Sequence, residues 1–370
     1  MIVNVVSFTV PFPPDYGGAI DVFYKLKALS ELGLKVILHC YTYRDRTVKK
    51  ELEDICFKVH YYERDLNPVF LFSKLPYIVR SRSNSRLIEN LLGNEYPILF
   101  EGLHTTYPLY TGLLKGRKII VRTHNVEHKY YAALAQSESN LLRRLYFKLE
   151  SLKLKRYESV LNNVDSIAAI SPNDLDYFQK YSTNVFLVTP FHPFDRLDVK
   201  KGSGDYILIH ADLSVTENVK STIWLIDNVL KRVKHNVVIA GKSPQQVLYD
   251  KSKGVSNIQI INDPNRAQMD ELIQNAHINI THSLNSQGFK LKLLYSLFKG
   301  RHCLCNREVV QNTGLEKLCN VADSADDYVG LINLLMYKKF EETSILERES
   351  LLGRFSNAWQ AEVLVKYLLG

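Results

Sequence analysis

The sequence predicts an α/β protein made of two Rossmann-like halves. Two observations carry this: apolar, β-branched runs alternate with segments of helical period in two separate series, and a linker-like stretch divides the series. A length of 370 residues allows each half to bury its own core.

The first series opens with a strand in Ile2 to Val10, a Pro/Gly loop and a helix from about Gly18 to Leu32. Strands follow at Lys35 to Tyr41, Phe57 to Tyr62, Ile98 to Glu101, Lys118 to Arg122, Ser166 to Ile170 and Val185 to Val188. Pro190-Phe-His-Pro-Phe194 and Lys200-Lys-Gly-Ser-Gly204 then read as a linker by composition. The second series has strands at Tyr206 to His210, Asn236 to Ala240, Ile258 to Ile261, Ile278 to Thr281 and His302 to Asn306. Its helices fall at about Val219 to Val233, Gln245 to Lys253, Met269 to Asn275 and Lys290 to Phe298. Helical period continues from Ala325 to Leu369, with no strand signal after Cys319 to Ala322. The expected division is residues 1–190, a linker at 191–204, a second domain at 205–350, and a helix at 351–370 crossing back to the first. Such halves face each other across a cleft at the carboxyl ends of their strands, where doubly wound folds bind ligands.

No run approaches the roughly 18 apolar residues that cross a bilayer, and the chain enters a strand at once without a basic leader. A cytoplasmic location is expected. The five cysteines fit reduced, buried thiols: Cys40, Cys56 and Cys319 stand alone, and Cys303 and Cys305 alternate in a strand with no second ligand pair at zinc spacing. The net charge of +8 favours anionic partners, whether nucleotide diphosphates, anionic lipid or nucleic acid. No recognisable nucleic-acid module accompanies it, which sets nucleic acid aside.

Four motifs sit where chemistry is expected. Pro11-Phe-Pro-Pro-Asp-Tyr-Gly-Gly18 joins the first strand to the first helix; Gly17 and Gly18 allow close backbone approach, and the helix start offers free N–H groups to a phosphate or polar substrate. The same glycines also suit a tight turn packed by Tyr16. After the Lys118 strand, Arg122-Thr-His-Asn-Val-Glu127 places His124, Asn125 and Glu127 on the rim of the sheet, able to bond sugar hydroxyls, while His128 reads as structural. Ile239-Ala-Gly-Lys242 ends a strand with a cation that is either a phosphate or base contact or simply solvated. The loop Ala211 to Asn218 carries polar side chains, or merely caps a helix through Thr216 or Asn218.

The fourth motif, Gln287-Gly-Phe-Lys-Leu-Lys-Leu-Leu-Tyr295, is the most informative. Gly288, Phe289 and Lys290 enter a helix whose first turns carry Lys290 and Lys292, so backbone N–H groups and two cations converge on a diphosphate without metal. Gln287 and Tyr295 are a little over two turns apart and line one side of that pocket. Leu291, Leu294 and Leu297 or Phe298 form the buried stripe; the bland alternative is an amphipathic core helix with solvated lysines.

Taken in order, Tyr16-Gly-Gly18, Arg122-Thr-His-Asn-Val-Glu127, Ala169-Ile-Ser-Pro172 and Gly288-Phe-Lys-Leu-Lys-Leu-Leu resemble a GT-B glycosyltransferase close to family 4, over nearly the whole chain. The resemblance implies a retaining, metal-independent hexosyltransferase with no cofactor beyond its UDP- or GDP-linked sugar. The second domain would bind the nucleotide sugar, and the first a glycan or lipid-linked acceptor in surface polysaccharide synthesis. It implies that His124 contacts the donor sugar or positions the acceptor, that Gly17 and Gly18 approach donor phosphates or acceptor, and that Lys292 neutralises the leaving group. The family commonly carries Glu at the positions of Gln287, near the transferred sugar, and Tyr295, on the ribose. Ala211 stands where a glycine usually gives space beside the phosphates. Gln287 keeps a hydrogen-bonding arm without charge, and Tyr295 cannot accept two ribose hydroxyls as a carboxylate does. A catalytically degenerate relative acting as a glycan- or partner-binding module is the alternative.

The cations of the first half concentrate in Arg80-Ser-Arg-Ser-Asn-Ser-Arg86 and in a helix from Leu141 to Leu161. In that helix Leu142, Leu145, Leu149 and Leu152 form a stripe, with Arg143, Arg144, Lys148, Lys155 and Arg156 mostly away from it. Two readings stand: peripheral contact with an anionic membrane at the inner face of the cytoplasmic membrane, or a helix packed on its own domain. Pro68 to Val79 reads as a segment dipping into lipid or as a buried connector.

Overall fold

The computed structural model describes residues 1–138 and 140–370. They form two compact units: Met1–Pro193 with Gln287–Phe289 and Arg354–Gly370, and Phe194–Ser286 with Lys290–Gly353.

The first unit is built on seven parallel strands, β1 (Ile2–Ser7), β2 (Lys35–Thr42), β3 (Lys58–Glu63), β4 (Ile98–Glu101), β5 (Ile119–Arg122), β6 (Ser166–Ala169) and β7 (Val185–Leu187). Their order is β3-β2-β1-β4-β5-β6-β7. Helices on both faces explain the unbroken apolar runs, since β4, β5 and β6 are buried along their whole length. The order reverses between β1 and β4, the switch point beside whose strand ends doubly wound sheets bind ligands. The helix Gly17–Glu31 packs Val22, Leu26 and Leu29 on the sheet. Ala361, Leu364 and Leu368 of the C-terminal helix Asn357–Leu369 enter the same core, so this helix lies against Gly17–Glu31. Polar groups fix that contact: Gln360 Oε1 accepts from the Thr189 amide at 2.8 Å, and Asn357 Nδ2 donates to the His192 carbonyl at 2.6 Å.

The second unit repeats the architecture with six parallel strands, β8 (Tyr206–Asp212), β9 (Asn236–Lys242), β10 (Ile258–Asn262), β11 (Ile278–Thr281), β12 (His302–Cys305) and β13 (Asn320–Val321). Their order is β10-β9-β8-β11-β12-β13, with the reversal between β8 and β11. Gly241 in β9 faces Ala211 in β8, and a Cβ there would collide with the Ala211 carbonyl, so only glycine fits. Both sheets are parallel throughout, as the two alternating series predict.

Several local expectations change. The helical stretch after Ala325 is three helices, Ala325–Leu335, Glu342–Leu352 and Asn357–Leu369. Neither Thr216 nor Asn218 caps the helix Thr216–Asn228: Val215 holds the cap position without a side-chain bond, and Asn218 Nδ2 donates to the Asp212 carbonyl at 2.9 Å. Pro68 to Val79 divides: Pro68–Phe72 is an exposed 3₁₀ turn, whereas Pro76, Ile78 and Val79 are buried as a connector would be. Cys319 does not stand alone, since its Sγ, just before β13, lies 3.9 Å from Cys303 Sγ in β12.

Candidate functional site

In the first unit, the carboxyl ends of β1, β4 and β5 and one face of the helix Gly17–Glu31 bring five ionisable side chains together. Lys25 Nζ is fully buried, 2.8 Å from both oxygens of Glu101 and 3.0 Å from Asp21 Oδ2. Arg122 donates to the Val188 carbonyl at 2.6 Å and lies 3.5 Å from Asp21 Oδ1, which also accepts from the Phe191 amide at 2.7 Å. His124 Nε2 is 3.0 Å from Glu101 Oε2, and its Nδ1 is 3.7 Å from Asp21 Oδ2. The Phe8 ring meets the His124 ring edge-on at 5.4 Å.

Two cations, Lys25 and Arg122, face the two carboxylates. Burial works to raise both carboxyls, but Lys25, aided by His124, overcomes it at Glu101, and Lys25, Arg122 and His124 overcome it at Asp21, so both lie below the ordinary range. Asp21, Glu101 and His124 are close enough to hold a metal ion. The Lys25 ammonium, however, already occupies both oxygens of Glu101 and one of Asp21, so the cluster does not suit a second cation. Nor is either carboxylate available as a covalent nucleophile. The network instead clamps the imidazole of His124 at the rim of the sheet.

Around it, Asn125 is half-buried and Glu127 is buried at the start of the helix Glu127–Ser137. Burial, with Glu158 and Asp174 nearby, pushes the Glu127 carboxyl up to about 8 against a hydrogen bond from Asn125, so it is mostly protonated at neutral pH. Glu127 Oε1 and His104 Nδ1 lie 4.0 Å apart, both buried with no hydrogen-bond partner among the described residues. Gly17 and Gly18 begin the helix Gly17–Glu31, whose first turn has no side-chain cap; a Cβ on Gly18 would stand 2.7 Å from the Phe8 ring. Gly288 has φ +65°, and a Cβ there would strike Asn125 Oδ1, so glycine lets this segment lie against the His124–Asn125 turn. Gln287 is half-buried beside it, and Phe289 packs on Phe355 at 6.1 Å.

In the second unit, the helix Leu291–Lys299 starts with Lys290 at its cap position and no side-chain cap, leaving N–H groups of the first turn to other partners. Leu293, Leu294, Leu297 and Phe298 form its buried stripe; Leu291, expected there, is only half-buried. Lys290 Nζ donates to Asn285 Oδ1 at 3.0 Å and Lys292 Nζ to the His282 carbonyl at 2.5 Å. Burial lowers both ammonium groups. Lys292 falls to about 8, with Lys290 adding to the fall and Glu217 opposing it. Glu217 also accepts from Ser283 Oγ at 2.8 Å. Two flanking histidines stay neutral: His210 is pushed down to about 3 and His282 to about 4, each by burial and then by Lys292. His282 stacks on Trp224 at 4.8 Å and lies 2.7 Å from Ser221 Oγ. Two half-buried lysines facing one nearby carboxylate make a positive locus at a helix start, suited to an anion bearing more than one charge.

Tyr295 is half-buried in the helix Leu291–Lys299. Its ring packs edge-on against Phe194 at 4.7 Å, with the Arg266 guanidinium 5.5 Å above it and His210 6.2 Å away. Lys242 is exposed at the end of β9. Sequence reasoning had singled out His124 and the lysines; Lys25, Asp21, Glu101, His104, Glu217, His210 and His282 emerge only from the fold.

An uncharacterised 44.6 kDa protein in the cps region of Klebsiella pneumoniae is 30% identical over 316 residues, 78% of this chain and 79% of that protein. The chain belongs to the family of this cps-region protein. Within that family its fold is plain, for it is that of GT-B glycosyltransferases. Sucrose-phosphate synthase from Thermosynechococcus elongatus superposes with a TM-score of 0.68 at 13% identity, over 100% of this chain and 99% of that one. An E. coli trehalose-6-phosphate enzyme bound with UDP-2-fluoro glucose gives 0.67 at 10%, over 100% and 99%. A glycosyltransferase from Rickettsia africae gives 0.64 at 12%, over 99% and 97%. No protein-family model matches the chain.

Proposed function

We propose that the protein is a retaining, metal-independent glycosyltransferase close to family 4. It moves a hexose from a UDP- or GDP-linked sugar to a glycan or lipid-linked acceptor in capsule polysaccharide synthesis. The observation that carries this reading is the pair Lys290 and Lys292 at the uncapped start of the helix Leu291–Lys299. These ammonium groups meet the charge of a diphosphate and stabilise it as a leaving group, the electrostatic contribution that such a transfer needs most. The GT-B fold and the cps-region relative supply the context.

Roles in the first unit follow from what is clamped and what is open. His124, held by Glu101 and Asp21, presents a fixed imidazole edge to the donor sugar or the acceptor. Glu127, protonated at neutral pH, and Asn125 are uncharged groups suited to sugar hydroxyls on the acceptor side. Gly288 lets the backbone beside Gln287 come close to them.

Calorimetric titration with UDP, GDP and their hexose conjugates tests the reading, followed by transfer to lipid-linked acceptors. Binding of at least one nucleotide diphosphate with turnover is expected; failure of all of them to bind at millimolar concentration would sink it. The packing of Tyr295 on Phe194 and Arg266 favours the second reading, a glycan- or partner-binding module without turnover. That reading predicts glycan or partner binding that survives His124→Ala and Lys292→Ala, with no donor hydrolysis or transfer by the unaltered protein.

A further inference from the structure

The helix Leu141–Tyr157 is amphipathic in an unexpected sense. Its buried residues are Glu150, Leu154 and Tyr157, which lie together on one side of the helix. Leu141, Leu142, Leu145, Leu149 and Leu152 fall within an arc of about 100° on the opposite side. All five are exposed, from 50% at Leu149 to 80% at Leu142. A helix packed only on its own domain would turn those leucines inward. This one points them away from it.

The charge pattern says what covers them. At 100° per residue, Arg144, Lys148 and Lys155 line one edge of the leucine stripe, Lys153 lines the other, and Arg156 lies among the leucines. The helix's one acidic residue, Glu150, is buried on the far side, accepting from Lys153 and from the Tyr77 amide. A second apolar element adjoins the stripe: Lys153 Nζ donates to the Leu71 carbonyl at 2.7 Å, which ties the turn Pro68–Phe72 alongside. In that turn Val69 and Leu71 are exposed, and Phe72 is 90% exposed. A cavity of about 570 Å³, lined by Lys74, Leu75, Leu109, Lys153, Arg156 and Tyr157, lies between the stripe and the buried side of the helix.

We propose that this face of the first unit, the leucine stripe with the turn Pro68–Phe72, seats on an anionic lipid bilayer. The leucines and Phe72 enter the acyl boundary, and Arg144, Lys148, Lys155 and Arg156 meet lipid phosphates. Apolar insertion and electrostatic attraction together bind a helix lying in the interface plane, as neither does alone. Charge complementarity favours a bilayer over a second copy of this chain, because two copies face to face would oppose their basic edges. The cavity beside Arg156 suits an anionic headgroup.

Vesicle sedimentation tests this without any donor nucleotide, so its outcome is independent of the transfer reaction. The protein should pellet with phosphatidylcholine vesicles containing phosphatidylglycerol and stay in solution with phosphatidylcholine alone. The variant Leu142→Ser/Leu145→Ser/Leu149→Ser should lose about tenfold or more in partitioning, since each leucine withdraws several apolar carbons from the acyl boundary. Lys148→Glu/Lys155→Glu should lose binding most at low salt, where screening is weak. Leu142→Trp provides a readout on a folded protein, with an emission blue shift on anionic vesicles. Equal pelleting of the serine variant and the unaltered protein would overturn the proposal, as would equal pelleting on neutral vesicles. A dimer in solution that the serine substitutions dissociate would overturn it in favour of self-association.

Discussion

Removing Lys292 is the sharpest test of the phosphate pocket. Lys292 is half-buried, its ammonium bonded to the His282 carbonyl, near Lys290, and lowered to about 8. A charge-assisted hydrogen bond to phosphate contributes about 1.5–3 kcal/mol, so Lys292→Ala should weaken a nucleotide diphosphate about 10- to 100-fold. The matching nucleoside, which lacks phosphates, should change by no more than about twofold. The pH dependence follows by sign. In the free protein Lys292 loses its proton as pH rises through about 8, whereas a bound diphosphate favours the proton. Affinity should therefore be flat below about pH 7, fall toward tenfold per pH unit above 8, and be accompanied by proton uptake near pH 8. Lys290→Ala removes a like charge that depresses Lys292, so the break should move to higher pH. Titration calorimetry in two buffers of different ionisation enthalpy measures affinity and proton uptake together. A Lys292→Ala variant that loses nucleoside and diphosphate binding equally, or an affinity flat from pH 7 to 10, would refute the argument.

Other predictions rest on the first unit. Gly288→Ala should reduce transfer at least about tenfold and cost about 1–2 kcal/mol in chemical unfolding, because its φ of +65° and the clash with Asn125 both oppose a side chain. Glu127 holds its proton in the folded protein up to about pH 8, so its contribution to stability is present below the ordinary carboxyl range and is lost as pH rises to about 8. Glu127→Gln should close that loss, with the melting-temperature gap over the unaltered protein widening from about pH 4.5 to 8 and then levelling. Lys25→Met leaves Glu101 and Asp21 facing each other without their cation and should cost about 3–5 kcal/mol, read by urea unfolding. The folded-state carboxyls of Asp21 and Glu101 lie below their unfolded values, so the stability they contribute is present above about pH 4 and is lost as pH falls.

Two sheets were legible because parallel strands buried on both faces carry continuous apolar runs, as in Ile98 to Glu101 and Ile278 to Thr281. The lysine pair was legible because both lysines stand in one helical turn. The clamp on His124 was not: Lys25 and Glu101 are 76 residues apart, and only the adjacency of β1, β4 and the helix between β1 and β2 brings them together. Buried ion pairs leave no local period to read. The helix Leu141–Tyr157 misleads for a different reason. A leucine stripe signals a face that leaves water, without saying whether protein or another medium receives it. Here Glu150 goes inward, because the Tyr77 amide and Lys153 satisfy its carboxylate. Tyr295 could be recognised as a departure, but its packing against Phe194 and Arg266 required the fold.

The helix Asn357–Leu369 has a consequence for how the molecule is made. Its Ala361, Leu364 and Leu368 belong to the core that Val22, Leu26 and Leu29 begin, more than 330 positions earlier in the chain. During synthesis, the N-terminal sheet emerges with that part of its surface uncovered, and it waits through translation of the whole second unit. Domains usually fold in the order they leave the ribosome. Here the first unit to appear is among the last to be completed, and a ribosome that stalls before Asn357 releases a chain with a greasy wound on its oldest part.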